Sequence, residues 1–323
     1  MTEIALDDVA RGDQVDCAII IVTYNSAQYI GSLLDSLSDA APGVTVRVVV
    51  VDNGSTDDTV KLVRQRPEIL CVDTGLNLGY AGGINVGRTC VGDCRAIAVL
   101  NPDLVVEPDA ICALLAALAD PAVGVVVPRL LDPDGTPYPS LRREPTLTRA
   151  VGDALFGDRL GRRPGFLSES VRDAAAYDHR HPVDWAGGAA WMISAACDTA
   201  VGDWDERFFL YMEEVDFATQ VRAAGLRIDY VPKARVRHRG GGYGRSAVLT
   251  ALMAVHRVRY YRKYHGPAAT AVYRCVVILH YCLRATSAEA RVVLATLANR
   301  ARWQDLPRGD LDAPRTDHVR AAL

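Results

Sequence analysis

The stretch "LNPDLVVEPDA" (residues 100–110) ends an apolar run, "AIAVL", on a turn dipeptide and an aspartate, Asp103. Asparagine, proline and aspartate stop strands and start turns, each by its own conformational mechanism. A carboxylate so placed can also hold a divalent cation, because magnesium and manganese take hard oxygen ligands. A second group of acids lies in "YMEEVDF", where Glu213, Glu214 and Asp216 follow the aromatic-rich "WDERFFLYM". Acids at a helix start are ordinary, since they complement the dipole. His238, in "ARVRHRGGG", follows a strand-like run. Imidazole is a less usual magnesium ligand than oxygen, so manganese suits it better.

The elements that must position these residues show a regular rhythm. "CAIIIVT" (17–23) is a continuous apolar, β-branched run, the composition of a strand buried on both faces. In the following "YNSAQYIGSLLDSL", Ile30, Leu33, Leu34 and Leu37 keep helical spacing and Ser26 occupies a capping position. "TVRVVVVD" (45–52) then precedes "NGSTDDTVKLV", and "RAIAVLNPD" precedes "EPDAICALLAAL", where Ile111, Leu114, Leu115 and Leu118 mark one face. Shorter strands are predicted at "ILCVD" (69–73) and "VGVVVP" (123–128). This alternation predicts an α/β fold with a mostly parallel sheet and helices on both faces. Ligands of such sheets bind beyond the carboxyl ends of the strands. Those ends carry "TYN" (23–25), "DNGSTDD" (52–58), "DTGLNLGYAGGINVG" (73–87) and "NPD" (101–103), which should converge on one edge. The glycine-rich piece misses the spacing of a dinucleotide fingerprint.

Half of the 323 residues are apolar, enough for a sizeable core, and a formal net charge of -3 gives no general reason to bind nucleic acid. Cys17, Cys71, Cys112, Cys197, Cys275 and Cys282 are dispersed through apolar segments, and the close pair Cys90 and Cys94 has no second pair at zinc spacing. We read a reduced, cytoplasmic protein. The start, "MTEIALDDVARGDQVD", lacks the basic and apolar regions of a signal peptide. "AATAVYRCVVILHYCL" is interrupted by Arg274 and is shorter than the ~20 residues of a spanning helix, which predicts a buried or membrane-surface helix.

Six segments in order between residues 21 and 241 carry a resemblance: "IVTYNS", "VVDNGSTDDT", "NLGYAGGIN", "LNPD", "WDERFFLYMEEVDF" and "VRHRGG". Together they resemble the inverting glycosyltransferases of family 2, nucleotide-sugar enzymes built on a GT-A type domain. The chain then divides into a flexible acidic N-terminus (1–15), a GT-A catalytic domain (16–242), a C-terminal helical region (243–302) and a loose tail (303–323). The resemblance implies that Asp52 reads the nucleotide base, with Thr23, Tyr24 and Asn25 lining the same pocket; a strand-end turn is the alternative for Asp52. For Asn77, Gly79, Gly82, Gly83 and Asn85 it implies close approach of backbone to the donor sugar and ribose, which glycine permits. A structural loop is the alternative there. Asn101, Trp185, Gly187 and Gly188 are further implied substrate contacts.

The same resemblance makes "NPD" a version of the Asp-x-Asp element that binds a divalent cation. Asp103 is the retained ligand, His238 closes on the metal or diphosphate, and Asn101 replaces the first acid, so the donor diphosphate must complete the site. The family pattern is Glu-Asp-x-Asp with its second acid as base, which falls on Glu214, with Glu213 as the alternative. Asp216 belongs to the same catalytic cluster, and it and Asp205 organise the site through hydrogen bonds.

Within the family, "LLDPDGTPYPSLRREPTLTRAV" (130–151) looks most like bacterial rhamnosyltransferases that use dTDP-rhamnose and act on polyprenyl-diphosphate glycans in cell-wall or polysaccharide synthesis. Galactofuranosyl and other hexosyl transferases, with UDP-sugar donors, share these motifs. Arg142 and Arg143 could meet a diphosphate with paired donors; a solvated charged loop is the alternative. Further on, Arg257, Arg259, Arg262 and Lys263 alternate with Tyr260, Tyr261 and Tyr264. That pattern suits an anionic membrane surface, hence peripheral contact with the inner face of the plasma membrane, or a helical appendage packed on the catalytic domain. A silent nucleotide-sugar binding module is the competing class, and it has no need of a base.

Overall fold

Apolar β-branched runs form strands where the sequence places them, and turn residues end them. The first half contains β1 (Val15–Thr23), α1 (Ala27–Ala40), β2 (Val46–Asp52), α2 (Thr59–Arg64), β3 (Leu70–Asp73), α3 (Gly79–Cys90) and β4 (Cys94–Leu100). Next come β5 (Leu104–Val106), α4 (Ala110–Ala117), β6 (Val123–Leu131), β7 (Leu141–Arg142) and α5 (Leu147–Phe156). These are followed by β8 (His181–Pro182), β9 (Trp185–Ala186), β10 (Ala190–Ser194), α6 (Ala195–Val201), α7 (Glu213–Ala223) and β11 (Arg227–His238). Three helices complete the chain: α8 (Ala247–Tyr264), α9 (Pro267–Cys282) and α10 (Ala288–Ala298). The structure, a computed structural model, describes residues 14–157, 163–239 and 246–308. Most of the expected flexible N-terminus, most of the loose tail and the two glycines closing "VRHRGG" lie outside the described residues.

The main sheet runs β3-β2-β1-β4-β10-β6-β11-β5, with β8 paired to β11. Strands β3, β2, β1 and β4 are parallel neighbours, as the alternation predicts. Strand β10 is antiparallel to both β4 and β6, and β5 is antiparallel to β11, so the second half of the sheet is mixed. Burial of β1 is complete from Cys17 to Ile21, because helices cover both faces. On one side α1 contributes Ile30, Leu33, Leu34 and Leu37, the four residues read as its apolar stripe.

Ser26 stands at the N-cap of α1 but makes no capping bond; its hydroxyl turns to the backbone of Tyr24 at 3.3 Å. Asp57, from the loop after β2, accepts the N–H of Ala27 at 3.0 Å instead. The cap therefore comes from the neighbouring strand-end loop and ties the two loops together.

The C-terminal helices share a separate core with Ala150 of α5 and with Phe209, built around Leu252, Val255, Tyr273, Val293 and Leu297. That packing accounts for part of the basic and aromatic stretch. Tyr260 and Tyr261 are buried, Arg257 pairs with Glu169 at 2.5 Å, and Lys263 pairs with Asp205 at 2.8 Å and Asp216 at 2.7 Å. Arg259 meets the His256 ring at 3.0 Å. Helix α8 is thus packed against the rest of the fold, with Arg257 and Lys263 paired to acids remote in sequence, while Arg262 is exposed. No helix among the described residues is long and apolar enough to cross a membrane. All eight cysteines are free thiols.

Candidate active site

The carboxyl ends of the first four strands do meet at one edge: Thr23 is in register with Asp52, Asp52 with Asp73, and Ile21 with Leu100. Asp52 is 1% exposed, and its carboxylate accepts the hydroxyls of Thr23 (2.7 Å) and Ser55 (2.6 Å) and the N–H of Ser55 (2.7 Å). A carboxylate offers about four lone-pair sites, so one remains for a ligand. Thr23 is fully buried; it positions Asp52 and does not line a pocket. Asn25, at φ 51°, gives its N–H to Ser55 at 2.7 Å and accepts that of Thr56 at 2.8 Å, locking the β1 loop onto the β2 loop. Beside them the Tyr24 side chain is 47% exposed.

The glycine-rich segment proves to be a helix, and its glycines have a packing role. Asn77 Oδ1 accepts the Gly79 N–H at 2.9 Å at the start of α3. Gly79 has φ +78°, and a Cβ there would lie 2.2 Å from the Phe209 carbonyl oxygen. At Gly82 it would meet Leu78 at 2.8 Å, and at Gly83 the Val22 side chain at 2.6 Å. Protein atoms already occupy the space beside these glycines, so they admit close packing of α3. Asn85 is buried too: its amide accepts the Trp204 N–H at 2.9 Å and donates to Trp204 O at 2.9 Å and Glu206 at 2.8 Å. Gly83→Ala is expected to lose about 1–3 kcal/mol through overpacking against β1, read as a lower urea midpoint at unchanged slope.

Asp103 and His238, far apart in sequence, come together because β5 pairs with β11 in the register Leu104 to His238. His238 Nε2 lies 3.1 Å from Asp103 Oδ2, and the N–H of Arg239 reaches Asp103 O at 3.0 Å. Asn101 gives its N–H to Ala189 O at 2.8 Å, which anchors the "NPD" turn to the start of β10. Among the described residues no group of three or more His, Cys, Asp or Glu side chains could hold a metal ion.

Two consecutive residues in the left-handed region, Tyr211 (φ 69°) and Met212 (φ 75°), launch α7. Such conformations in non-glycine residues cost on the order of 1–3 kcal/mol each and cluster at functional sites. They place Glu213 and Glu214 in the first turn, each with a buried Oε2 that has no hydrogen-bond partner. Burial pushes the Glu214 carboxyl up to about 7. The Glu213 carboxyl is raised well above the ordinary range, first by burial and then by the charge of Glu214. Gly188 packs beside the acid: a Cβ there would lie 3.5 Å from Glu214 Cβ, an ordinary contact.

Tyr80 was not singled out in the sequence. Its hydroxyl donates to Gly188 O at 3.3 Å, and its ionisation is pushed well up by burial and then by Glu213, Glu214 and Asp103. One side chain thus senses all three acids, which links the base cluster to the "NPD" turn. The available signal was a lone aromatic within glycines at the converging strand edge. Gly187 gives its N–H to Ser140 at 3.1 Å, while Trp185 is buried with its indole N–H on Arg143 O at 2.9 Å. Arg142 donates to Leu141 O at 3.0 Å, and its charge pulls Glu214 partly back down. Arg143 is occupied by the Ser168 and Ser170 carbonyls at 3.4 and 3.1 Å, so the two arginines do not form a diphosphate fork.

The sequence pattern of "Glycosyl transferase family 2" matches residues 18–169. The N-acetylglucosaminyl-diphospho-decaprenol L-rhamnosyltransferase of Mycobacterium tuberculosis is 35% identical over 232 residues, covering 68% of this chain and 75% of the relative. The chain belongs to glycosyltransferase family 2. A hexosyltransferase of low-salt glycan biosynthesis, Agl10 of Haloferax volcanii, is 32% identical over 218 residues, covering 66% of this chain and 64% of that protein. Among solved structures, the mannosyltransferase PcManGT of Pyrobaculum calidifontis, in complex with GDP-Man and Mn2+, superposes with a TM-score of 0.53 at 18% identity, covering 96% of this chain and 86% of its own. The protein is therefore a glycosyltransferase with a GT-A type fold.

In this glycosyltransferase Asp216 does not act with the two glutamates. It is 0% exposed, and its carboxylate is taken up by Lys263 (2.7 and 2.8 Å), Tyr264 (2.8 Å) and Gln220 (2.7 Å). Those bonds fasten α7 to α8. Burial works against ionisation of Asp205, but hydrogen bonds from Arg207 and Lys263 win and hold its carboxyl well below the usual range. Asp205 and Asp216 are positioning groups for the turn that presents Glu213 and Glu214.

Proposed function

We propose that this transferase moves rhamnose from dTDP-rhamnose to a hydroxyl of a polyprenyl-diphosphate-linked glycan, inverting the anomeric carbon. The name of the mycobacterial relative supports both that sugar and that class of acceptor. The chemistry rests on one observation, the adjacent pair of glutamates whose buried carboxylate oxygens have no partner. A base works best when its pKa lies near the operating pH. Burial raises both carboxyls, so the pair loses its protons in steps: one member ionises while the other holds its proton and can donate a hydrogen bond, and the family pattern assigns the base to Glu214. Glu214 removes the proton of the acceptor hydroxyl as that oxygen attacks the anomeric carbon. The bond to the diphosphate breaks on the opposite face, and its electron pair leaves with the nucleotide.

At the nucleotide end, the remaining lone pair of Asp52 and the exposed ring of Tyr24 support recognition of the base. Asp103 and His238 would hold a divalent cation, and their donor set fits: one carboxylate oxygen and one imidazole nitrogen converge, leaving the other positions to phosphate and water. When bound, the ion supplies positive charge for the departing diphosphate. A lipid-linked acceptor would bring the enzyme to a membrane surface. The hexosyltransferase relative supports a second donor reading, a UDP-hexose.

Thermal unfolding in manganese, across dTDP-rhamnose and UDP-hexoses, separates the donors. A donor at 100 times its dissociation constant is expected to add about 2.7 kcal/mol, and the manganese-dependent part of the shift should vanish in Asp103→Asn. A shift with a UDP-hexose alone would overturn the rhamnosyl reading, and an undiminished shift in Asp103→Asn would remove Asp103 from the metal site.

A further inference from the structure

Three consecutive carbonyls lead into the acid pair, and each is held by a group remote in sequence. The N–H of Tyr80, at the start of α3, meets Phe209 O at 2.7 Å. His256 Nδ1, from α8, lies 3.0 Å from Leu210 O and 3.2 Å from Tyr211 O. Carbonyl oxygens only accept, so Nδ1 carries the proton of the ring and shares it between the two. The other ring nitrogen, Nε2, faces the Arg259 guanidinium at 3.0 Å, and a guanidinium only donates, so Nε2 carries a lone pair. Both ends of the ring therefore demand the same neutral tautomer. The side chain is 0% exposed, and burial, followed by the charge of Arg259, pushes its protonation down to about 4.

Leu210 O and Tyr211 O belong to the two rigid peptide planes that flank the Tyr211 α-carbon, and φ and ψ are the only soft dihedrals between such planes. One shared proton thus fixes both dihedrals of Tyr211, which stands at φ 69° in the left-handed region. For a non-glycine residue that conformation persists only where the surroundings over-determine it. Met212 follows at φ 75°, its carbonyl accepts the Asp216 N–H at 2.9 Å, and Glu213 and Glu214 open α7. A swing of the planes around Tyr211 would re-aim both glutamates.

The rest of the same helix face grips α7 itself. Tyr260 meets the Thr219 hydroxyl at 2.8 Å, and Lys263 and Tyr264 take the Asp216 carboxylate at 2.7 and 2.8 Å. Residues 256, 260, 263 and 264 recur at i, i+4, i+7 and i+8, the spacing of one helical face. Helix α8 therefore holds α7 through its later residues and the strained turn before it through His256.

We propose that His256 is a positioning residue for sugar transfer: its shared Nδ1 proton holds the turn at Tyr211 and so aims the acid pair, which makes α8 part of the construction of the active site. This rests on the reading of Glu213 and Glu214 given above. His256→Leu and His256→Asn separate aiming from packing. Leucine fills the space without a donor, whereas asparagine is smaller but sets an N–H where Nδ1 stood. A side chain that only filled space would be replaced better by leucine; the positioning role expects the reverse.

Transfer is measured from dTDP-rhamnose to N-acetylglucosaminyl-diphospho-decaprenol, the compound in the name of the mycobacterial relative. In His256→Leu, kcat should fall about 10²-fold, the effect of misplacing a reacting group by about 1 Å, with the donor KM unchanged. His256→Asn should recover most of that loss. Hydrogen exchange over residues 210–217, followed without substrates, should quicken in His256→Leu and return toward the parent rate in His256→Asn, while exchange in β1 to β4 stays the same.

Parent-like kcat and exchange in His256→Leu would overturn the proposal. So would a defect as large in His256→Asn as in His256→Leu, or a higher donor KM at unchanged kcat. Should His256→Leu fail to fold, His256→Asn decides: kcat near that of the parent supports the shared hydrogen bond, and the loss expected of leucine overturns it. Absence of transfer in the parent itself would count against the donor and acceptor, and the exchange rates would still decide whether His256 holds the turn.

Discussion

Glu214→Gln is expected to reduce sugar transfer by about 10²–10⁴-fold, the usual contribution of a general base, while donor-induced stabilisation persists. The substitution keeps the size of the side chain and removes only its ability to accept the proton. Its effect on stability should have the opposite sign. Burial raises the folded carboxyl from 4.5 to about 7, so the folded state binds the proton more tightly than the unfolded chain. Stability from this group is therefore complete below pH 4.5 and is lost as pH rises through 7. At pH 8 Glu214→Gln should be the more stable protein, by on the order of 2 kcal/mol, and at pH 4 the two should be alike. Parent activity should rise with pH along an acid limb near 7, an apparent value that belongs to the coupled Glu213 and Glu214 pair. Unchanged turnover in Glu214→Gln would remove Glu214 from the role of base. The corresponding result for Glu213→Gln would show which acid carries it.

Lys263→Met is expected to destabilise the protein by about 3–5 kcal/mol, because removing one partner leaves a buried charge unpaired. Asp216, fully buried, loses its cation, and Asp205 is left with Arg207 alone. Restoring neutrality with Asp216→Asn in the same chain should recover part of the loss, and urea unfolding of the double-mutant cycle measures the coupling. Asp205 adds a pH signature. Its folded carboxyl is depressed, so its stabilisation is present above its unfolded pKa and lost as pH falls. That acid-side loss should be flatter in Lys263→Met. Turnover should fall with stability near the transition, because the same bonds set the turn that presents Glu213 and Glu214. A parent-like urea midpoint for Lys263→Met would show the bridge to be dispensable.

The first sheet half was legible because each strand there is a continuous apolar run ended by turn residues, and parallel neighbours follow from the strand–helix alternation. The positions of Asp52 at the end of β2, Asp103 after β4 and Glu214 at a helix start were equally legible through their motifs. The glycine-rich "GYAGGINVGRTC" has poor helix propensity, yet it forms α3 because Val22, Ile20 and Phe209 need the space that side chains would fill. Tertiary packing overrides propensity there. The pairings of Arg257 and Lys263 on α8 were not legible, since Glu169, Asp205 and Asp216, which neutralise them, are remote in sequence. Tyr80 was missed for a related reason. Its three acidic neighbours come from "NPD" and "MEE", and only the folded sheet brings them together.

The insertion of β10 beside β4 has a consequence for synthesis on the ribosome. All four parallel strands of the first half have emerged by Leu100, but the outer edge of β4 gains its partner only when Ala190–Ser194 appears. At ordinary translation speeds the intervening 90 or so residues take roughly 5–20 s. Throughout that interval Ala96–Leu100 presents an apolar strand with unpaired N–H and C=O groups, a template for pairing between nascent chains. A chain stalled before residue 190 would have the parallel half of its sheet in place and a sticky margin where β10 should dock. Chaperone demand during production should therefore fall on this window, and slowing translation across it should increase aggregation even though the finished enzyme hides the edge.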